Sequence, residues 1–149
     1  MKILLAIDTY QTNNNGTSIS AQRYAGTLRQ HGHQVRVLSV DSDDYRLPER
    51  HIYPFNRLIH MHGFRFANSL SRRSRATIRE AIGWCDMVHC MMPFVLSNRV
   101  KKMADKLGKP ATAAFHIQPE NITSSIRLGK ASWVNDMLYK LFYQLVYKH

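Results

Sequence analysis

Apolar residues occur along this chain in short continuous runs, separated by segments in which they recur every three or four positions. The run from Ile3 to Ile7 contains no polar residue, which is typical of a strand covered on both faces. Segments with helical spacing predict amphipathic helices between such runs. The predicted strands are residues 2–8, 34–40, 86–92 and 110–116, and the predicted helices are residues 17–31, 64–84, 96–109 and 132–149.

Cap and turn residues mark the ends of these segments. Thr17 or Ser18 is expected to cap the first helix, and Gly32 and Gly108 stand where a helix ends with a left-handed residue. The apolar positions expected on the first helix are Ile19, Tyr24, Ala25 and Leu28, and those on the second are Phe66, Leu70, Ile78 and Ile82. Residues 41–62, which include two prolines, predict a long excursion with one short strand.

Strands that alternate with helices predict an α/β fold, a Rossmann-like parallel sheet with helices on both faces, in a single domain over residues 1–149. In such sheets, ligands bind at the carboxyl edge, where the strands end. The segments that follow the strands are therefore the main candidates for a functional site: residues 8–17, 39–44, 91–94 and 116–121.

The chain is strongly basic, with a formal net charge of +11. This excess favours a polyanionic partner, and charge alone leaves nucleic acid, an anionic membrane surface and phosphorylated small molecules as alternatives. No recognition motif supports a specific nucleic-acid partner.

The two cysteines, Cys85 and Cys90, do not form a C-x-x-C pair, and they are expected to be free, mostly buried thiols in a reducing compartment. No stretch approaches the roughly 20 apolar residues of a membrane span, and the first apolar run meets Asp8 too early for a signal peptide. The sequence therefore predicts a cytoplasmic protein, with peripheral contact at the inner face of the membrane left open.

The first loop leads to a glycine at the entrance of the first helix. Gly16 would let phosphate groups approach the backbone amides and the positive end of the helix dipole. The loop contains neither G-x-G-x-x-G nor G-x-x-x-x-G-K-[ST], so a plain capped turn is the alternative interpretation.

A histidine and a glutamate are predicted near the same edge of the sheet. His116 ends a predicted strand, where it suits either a hydrogen bond to a substrate hydroxyl or phosphate group or a structural bond to backbone. Glu120 follows in the sequence QPEN, where it pairs with His116, acts as a base or begins a helix.

A run of arginines has no acidic residue until Glu80. Its members are Arg57, Arg65, Arg72, Arg73, Arg75 and Arg79. Because arginine favours bidentate contact with phosphate, the run indicates either an anionic-surface contact or a solvated face. His60 and His62 have no third ligand at suitable spacing, so no metal site is predicted.

The last predicted helix has the clearest amphipathic pattern. Its apolar residues are expected to form one stripe, made of Trp133, Val134, Met137, Leu138, Leu141, Phe142, Leu145 and Val146. Tyrosine and lysine residues flank the stripe, which suits a membrane interface. Packing on the sheet or on another domain explains the same pattern.

The order and spacing of these segments resemble the N-terminal half of a family 4 glycosyltransferase of the GT-B fold. The matching segments are KILLAID, NNNGTSISAQRYAGTLRQHGHQVRVLSV, WCDMVHCMMPF and ADKLGKPATAAFH, followed by QPEN. The resemblance is weakest in the last helix and over residues 41–83, where acceptor specificity is expected.

The resemblance implies roles for residues identified above. Gly16 and Thr17 would lie by the diphosphate of a nucleotide-sugar donor, and His116 would be the catalytic residue that contacts the transferred sugar. The acceptor side would comprise Asp8, Met92, Pro93, Phe94 and Glu120. The anionic surface, suited to a lipid-linked or membrane-associated acceptor, would comprise Arg65, Arg72, Arg73, Arg75 and Arg79. No cofactor is implied.

The resemblance also implies a second, donor-binding domain that carries an E-x7-E motif. In this chain, residues 57, 88 and 128 follow the three glutamates at that spacing and are arginine, valine and leucine. The 149 residues are therefore expected to lack the donor-binding domain and to be inactive without it or a partner subunit. The alternative function is a standalone Rossmann-like binding module that docks to an anionic membrane surface or a protein partner.

Overall fold

The computed structural model describes residues 1–13, 15–51, 65–114 and 132–147. The elements are β1 (Lys2–Ala6), α1 (Gly16–Gln30), β2 (Gln34–Ser39), β3 (Tyr45–Arg46), β4 (Glu49–Arg50), β5 (Phe66–Ala67), α2 (Arg72–Trp84), β6 (Met87–Cys90), α3 (Val95–Lys106), β7 (Ala111–Ala113) and α4 (Ser132–Phe142). A π-helical turn, Tyr143–Tyr147, continues α4.

A five-stranded sheet in the order β3-β2-β1-β6-β7 forms the centre of the domain, and its strand pairs are all parallel. β1 lies in the middle, with Leu4 opposite Arg36 of β2 on one side and Val88 of β6 on the other. Four of its five side chains are buried, because apolar side chains pack against both faces of the strand. The predicted α/β fold, with helices on both faces of a parallel sheet, is confirmed.

Two apolar clusters fill the two faces of the sheet. Alternate residues of β1 point in opposite directions, so the strand contributes to both clusters. The cluster under α2 and α3 includes Leu4, Ala6, Leu38, Ile78, Ile82, Cys85, Val88, Cys90, Leu96 and Val100. The cluster under α1 includes Ile3, Leu5, Ile7, Ala21, Ala25, Val35, Val37, Met91, Met92 and Phe142.

The start of α1 differs from the prediction. Asn15 caps the helix, since its Oδ1 accepts a hydrogen bond from the N–H of Thr17 at 2.9 Å, and the predicted caps Thr17 and Ser18 lie inside the helix. Tyr24, predicted on the apolar face, is exposed. The buried positions of α1 are Ser18, Ala21 and Ala25. Small side chains allow the helix to approach the sheet closely, which the apolar pattern alone could not indicate.

The predicted helix over residues 64–84 is wrong at its beginning. β5 pairs there with β4 as a separate antiparallel ladder, and α2 begins only after Ser71. The Oγ of Ser71 accepts a hydrogen bond from the N–H of Ser74 at 3.0 Å, which caps the helix. Leu70 is consequently exposed, and Phe66 belongs to a strand. The predicted contacts Ile78 and Ile82 are buried.

Two short strands, β3 and β4, lie in the predicted excursion, where one was expected; residues 52–62 are outside the described part of the chain. β3 forms an edge of the sheet beside β2. The guanidinium carbon of Arg36 lies 4.4 Å from the ring centroid of Trp84 and 5.7 Å from that of Tyr45. Arg36 also donates a hydrogen bond to the hydroxyl of Tyr45, so this cation fixes β3 against α2.

The last helix does not bury one continuous stripe. Phe142 and Val146 are buried, and the side chains of Asn98 and Lys101 of α3 donate hydrogen bonds to the carbonyl groups of Leu145 and Val146. Three residues of the predicted stripe are exposed, namely Trp133 (69%), Met137 (53%) and Leu141 (44%). Eight apolar positions span more of the helix surface than the sheet covers. Within the described ranges, no helix is both long and apolar enough to cross a membrane.

Both cysteines are buried and free of disulfide bonds, as predicted. Burial raises the pKa of the Cys90 thiol to about 12 and also raises that of Cys85. The two thiols are therefore protonated and serve as core side chains.

The left-handed residue after α1 provides a test of the helix ends. Gly32 has a φ of 81°, so we expect Gly32→Ala to lower the free energy of unfolding by about 1 kcal/mol, measured by urea denaturation. Gly83→Ala is the matched control. Gly83 lies within α2, where an added Cβ meets no atom within 4 Å, and alanine there should raise stability. Equal destabilisation by both substitutions would contradict the left-handed conformation of Gly32 at the end of α1.

Candidate functional site

The carboxyl end of β1 is a buried polar junction. Asp8 and Thr9 follow the strand and are 2% and 0% exposed. The N–H of Val40, which follows β2, donates to the carbonyl of Asp8 at 3.1 Å, and the N–H of Met91, which follows β6, donates to that of Ala6 at 2.9 Å. The segments after β2 and β6 therefore close around the end of β1, at the edge where parallel sheets bind ligands.

The segment that carries β5 is bound to the same point. Oδ1 of Asp8 accepts a hydrogen bond from the N–H of Ala67 at 2.9 Å, across 59 positions of sequence. The hydroxyl of Thr9 donates to the carbonyl of Arg65 at 2.8 Å and accepts from the N–H of Arg65 at 2.9 Å. These three bonds attach residues 65–67 to the end of the central strand.

Asp41 joins the loops after β1 and β2. Its Oδ1 accepts hydrogen bonds from the N–H of Tyr10 and from the hydroxyl of Ser39, each at 2.8 Å. Its Oδ2 lies 3.3 Å from a guanidinium nitrogen of Arg65, whose side chain is 40% exposed. Arg65, predicted as an anionic-surface residue, thus lies at the sheet edge and is paired with a carboxylate.

Asp8 has an unusual electrostatic environment. Its Oδ2 is buried and has no hydrogen-bond partner. Burial raises the pKa of Asp8 from its ordinary 3.8 to about 7, because an ionised carboxylate loses its hydration there. The hydrogen bond from Ala67 N–H lowers this pKa, but its effect is smaller than that of burial. The carboxyl group can therefore change its charge near neutral pH.

The start of α1 presents backbone donors at the same edge. The first N–H groups of a helix have no acceptor within the helix. Here the N–H of Thr17 donates a hydrogen bond to the side chain of Asn15. The hydroxyl of Ser18 donates to the carbonyl of Thr9 at 2.7 Å. A Cβ added at Gly16 would meet no atom within 4 Å, and Nδ2 of Asn15 is buried without a hydrogen-bond partner. This helix end can accept a phosphate group, because it combines open space with a positive dipole.

The predicted acceptor-side residues after β6 fall beside β5. Met92 and Pro93 are buried, and Phe94 is half-buried at the start of α3. The ring of Phe94 contacts the ring of Phe66 edge-on at a centroid distance of 5.1 Å and the ring of Phe142 at 6.0 Å. This aromatic row links β5, α3 and α4 at one side of the site.

The other predicted residues are distributed differently. Arg72, Arg73, Arg75 and Arg79 are exposed on α2. His116 and Glu120, like the pair His60 and His62, lie outside the described residues. In the part of the chain that the structure describes, no group of three or more histidine, cysteine, aspartate or glutamate side chains is arranged to hold a metal ion.

Sequence reasoning missed the polar contacts that assemble the site. Thr9, Asp41 and Ser18 each follow a strand or begin a helix, so their position at the sheet edge was a usable signal. The contact of Asp8 with Ala67 gave no such signal, since Ala67 has no functional side chain and lies far away in sequence.

Comparison with known families was informative over most of the chain. The model of the family described as Glycosyltransferase Family 4 matches residues 14–148. No curated protein matches the chain. The matched range includes the start of α1 and the segment after β6, whereas Asp8 and Thr9 precede it.

The buried carboxyl group predicts a pH-dependent stability. Between about pH 4 and pH 7 the unfolded chain has released the Asp8 proton, whereas the folded chain retains it, so the contribution of Asp8 to the free energy of unfolding falls as pH rises. Asp8→Asn cannot ionise and keeps an acceptor for Ala67. The variant should therefore gain stability relative to the natural chain, by on the order of 2 kcal/mol between about pH 5 and pH 8. Urea denaturation across this range measures the difference, and a difference that does not change with pH would refute the prediction.

Proposed function

The chain belongs to glycosyltransferase family 4, as the N-terminal domain of its GT-B fold, and from this premise we propose that it forms the acceptor side of a nucleotide-sugar-dependent enzyme. The reaction would transfer a sugar from a nucleotide diphosphate to a hydroxyl group of a sugar or lipid acceptor. The observation that carries the proposal is the open start of α1 at the carboxyl edge of the parallel sheet, within the matched range.

The start of α1 would interact with the leaving group. As the bond between the anomeric carbon and the diphosphate oxygen breaks, negative charge grows on the diphosphate. The N–H group of Gly16 and the helix dipole would stabilise this charge, and Thr17, whose own N–H donates to Oδ1 of Asn15, would lie beside the diphosphate. Gly16 suits this role because it leaves room for a phosphate group beside the backbone.

The acceptor would lie on the other side of the β1 end. Asp8, Met92, Pro93 and Phe94 are the proposed acceptor-side residues, and the contact of Phe66 with Phe94 adds residues 65–67 to this side. The new bond forms from the acceptor oxygen to the anomeric carbon, and the hydroxyl proton leaves to a base or to the departing diphosphate. We propose His116 as the group that contacts the transferred sugar and Glu120 as a further acceptor-side residue.

The proposed reaction needs a donor-binding domain, provided by the same polypeptide or by a partner subunit. The sheet edge described above would then form one wall of the cleft, and the second domain would carry most contacts to the nucleotide. The 149 residues alone would be inactive under this proposal.

A matched glycine pair on α1 tests the phosphate contact. Adding inorganic pyrophosphate to the 149-residue chain should shift the backbone amide NMR signals of Gly16, Thr17 and Ser18, and Gly16→Val should abolish these shifts. In an enzyme that includes the donor domain, the same substitution should lower kcat/KM by on the order of a hundredfold.

Gly26→Val is the control, because Gly26 lies on the same helix and a Cβ there also meets no atom within 4 Å. This variant should keep both the pyrophosphate shifts and the activity. Shifts that are absent from residues 16–18, or that persist in Gly16→Val, would contradict the proposed donor contact.

A second function, docking to an anionic membrane surface, is favoured by two exposed surfaces. α2 presents Arg72, Arg73, Arg75 and Arg79 to solvent, and the side of α4 that faces away from the core presents exposed apolar residues, including a tryptophan. Such a combination of arginines and apolar side chains suits a lipid headgroup region. Docking would serve a lipid-linked acceptor, or it would be the whole function of a standalone binding module.

Two variants with the same change in charge, one on α2 and one on α3, test whether membrane binding uses a specific surface or only the net charge. Replacing Arg72, Arg73 and Arg75 by glutamine should weaken sedimentation with phosphatidylglycerol-containing vesicles by on the order of tenfold or more. The control replaces Arg99, Lys102 and Lys106, which are exposed on α3, by glutamine. An equal loss in both triple variants would show that net charge alone drives binding, and an absence of binding at low salt would exclude membrane docking.

A further inference from the structure

The carboxyl group of Asp8 is the most enclosed carboxyl group at the proposed site, and the donor contact does not use it. It is 2% exposed, at the end of the central strand. One of its oxygens accepts the N–H of Ala67, and the other is buried without a hydrogen-bond partner. A buried carboxyl oxygen without a partner is costly, so its retention needs a reason other than packing.

The bond from Asp8 reaches the aromatic row through the backbone. Ala67 and Phe66 are the two residues of β5, so a bond that holds Ala67 also restricts Phe66. The ring of Phe66 in turn contacts the ring of Phe94 at 5.1 Å between centroids. The hydroxyl of Thr9 makes two hydrogen bonds to the backbone of Arg65 next to this strand, and the Arg65 side chain pairs with Asp41. The Asp8 carboxyl is the ionisable group that binds β5 itself.

We propose that Asp8 is a positioning residue of the acceptor side: its buried carboxyl group holds β5 against the end of β1, and the protonation state of that group sets the positions of Phe66 and Phe94. The role in acceptor binding rests on the proposed function, because that proposal assigns these two rings to the acceptor side. Its geometry rests on the described contacts alone.

Protonation changes the strength of the attachment. An ionised carboxylate accepts a stronger hydrogen bond from an N–H than a neutral carboxyl group does. Ionisation therefore tightens the contact with Ala67, whereas protonation loosens it and adds an O–H whose oxygen has no partner. The bond to Ala67 is therefore stronger above the pKa of Asp8, which burial raises to about 7, although ionisation of this buried group lowers the stability of the fold as a whole.

Other ionisable groups close to Asp8 are accounted for on each neighbouring element. On β6, burial raises the pKa of the Cys90 thiol to about 12, so this thiol is neutral near neutral pH. After β2, the carboxylate of Asp41 is paired with Arg65, the residue that precedes β5. From α1, the contact with this junction is the hydroxyl of Ser18, which has no charge.

NMR of the 149-residue chain tests the proposal without any ligand. As pH is raised from about 5 to about 9, the amide proton of Ala67 should move downfield in a single step, and the ring protons of Phe66 and Phe94 should shift with the same midpoint. In Asp8→Asn, which keeps an acceptor oxygen but cannot ionise, these steps should disappear. A merely structural role for Asp8 would leave the ring signals independent of its ionisation.

Two further variants fix the interpretation. Asp86→Asn makes the same change in an exposed carboxylate that accepts the N–H of Lys2 at the opposite end of β1, and it should leave the Ala67 and ring titrations intact. Asp8→Leu removes the acceptor, and hydrogen exchange at the Ala67 amide should accelerate about tenfold. If Asp8→Leu does not fold, the comparison of the natural chain with Asp8→Asn over the same pH range tests the positioning role without it.

The outcomes for this inference and for the proposed function can be told apart. Three results would overturn the positioning role, whatever the chain catalyses. These are an Ala67 amide signal that does not change with pH, ring signals that do not follow it, and pH-dependent steps that persist in Asp8→Asn. The opposite case is a chain in which the Ala67 amide and ring signals follow the ionisation of Asp8 but the signals of residues 16–18 do not respond to pyrophosphate. That result would support the attachment and refute the donor contact.

Discussion

Burial of β1 on both of its faces is the constraint on which the rest of this domain depends. A strand enclosed by helices on each side supplies apolar side chains to both clusters of the core, and its backbone pairs with β2 and β6. Where it ends, the chain must leave the interior without leaving backbone groups unpaired. Asp8, Thr9 and Asp41 meet this requirement by binding neighbouring loops, so the polar junction is a direct result of the apolar strand.

The same junction explains why a ligand site can lie there. Parallel strands direct their carboxyl ends to one edge, and the start of α1 brings unpaired backbone donors to that edge. An oxygen of Asp8 and the amide nitrogen of Asn15 are buried there without a hydrogen-bond partner, and elsewhere in the described residues the same holds for the hydroxyls of Ser69 and Ser97.

The sequence allowed the sheet, most helix positions and the glycine helix ends to be predicted, because these features depend on local periodicity and backbone conformation. It did not predict β5, since a two-residue strand is defined by its pairing with β4 and by the hydrogen bond from Ala67 to Asp8. Local propensity favoured a longer helix there, and tertiary contacts overrode it. Several polar residues before α1 can cap a helix, and the extended backbone at Asn15 decides which one does. The exposed side of α4 depends instead on how that helix packs against its neighbours. Of the candidate site, the position of the residues at the sheet edge was predictable, but their partners were not.

The placement of the two thiols has a practical consequence. Cys85 and Cys90 both belong to the cluster under α2 and α3, and the cluster under α1 contains no cysteine among its buried residues. Since protonated, enclosed thiols do not react with alkylating reagents, the rate of their modification reports how often that layer opens to solvent. The chain therefore carries an intrinsic label on one side of its sheet, which distinguishes a local separation of α2 and α3 from a movement of α1.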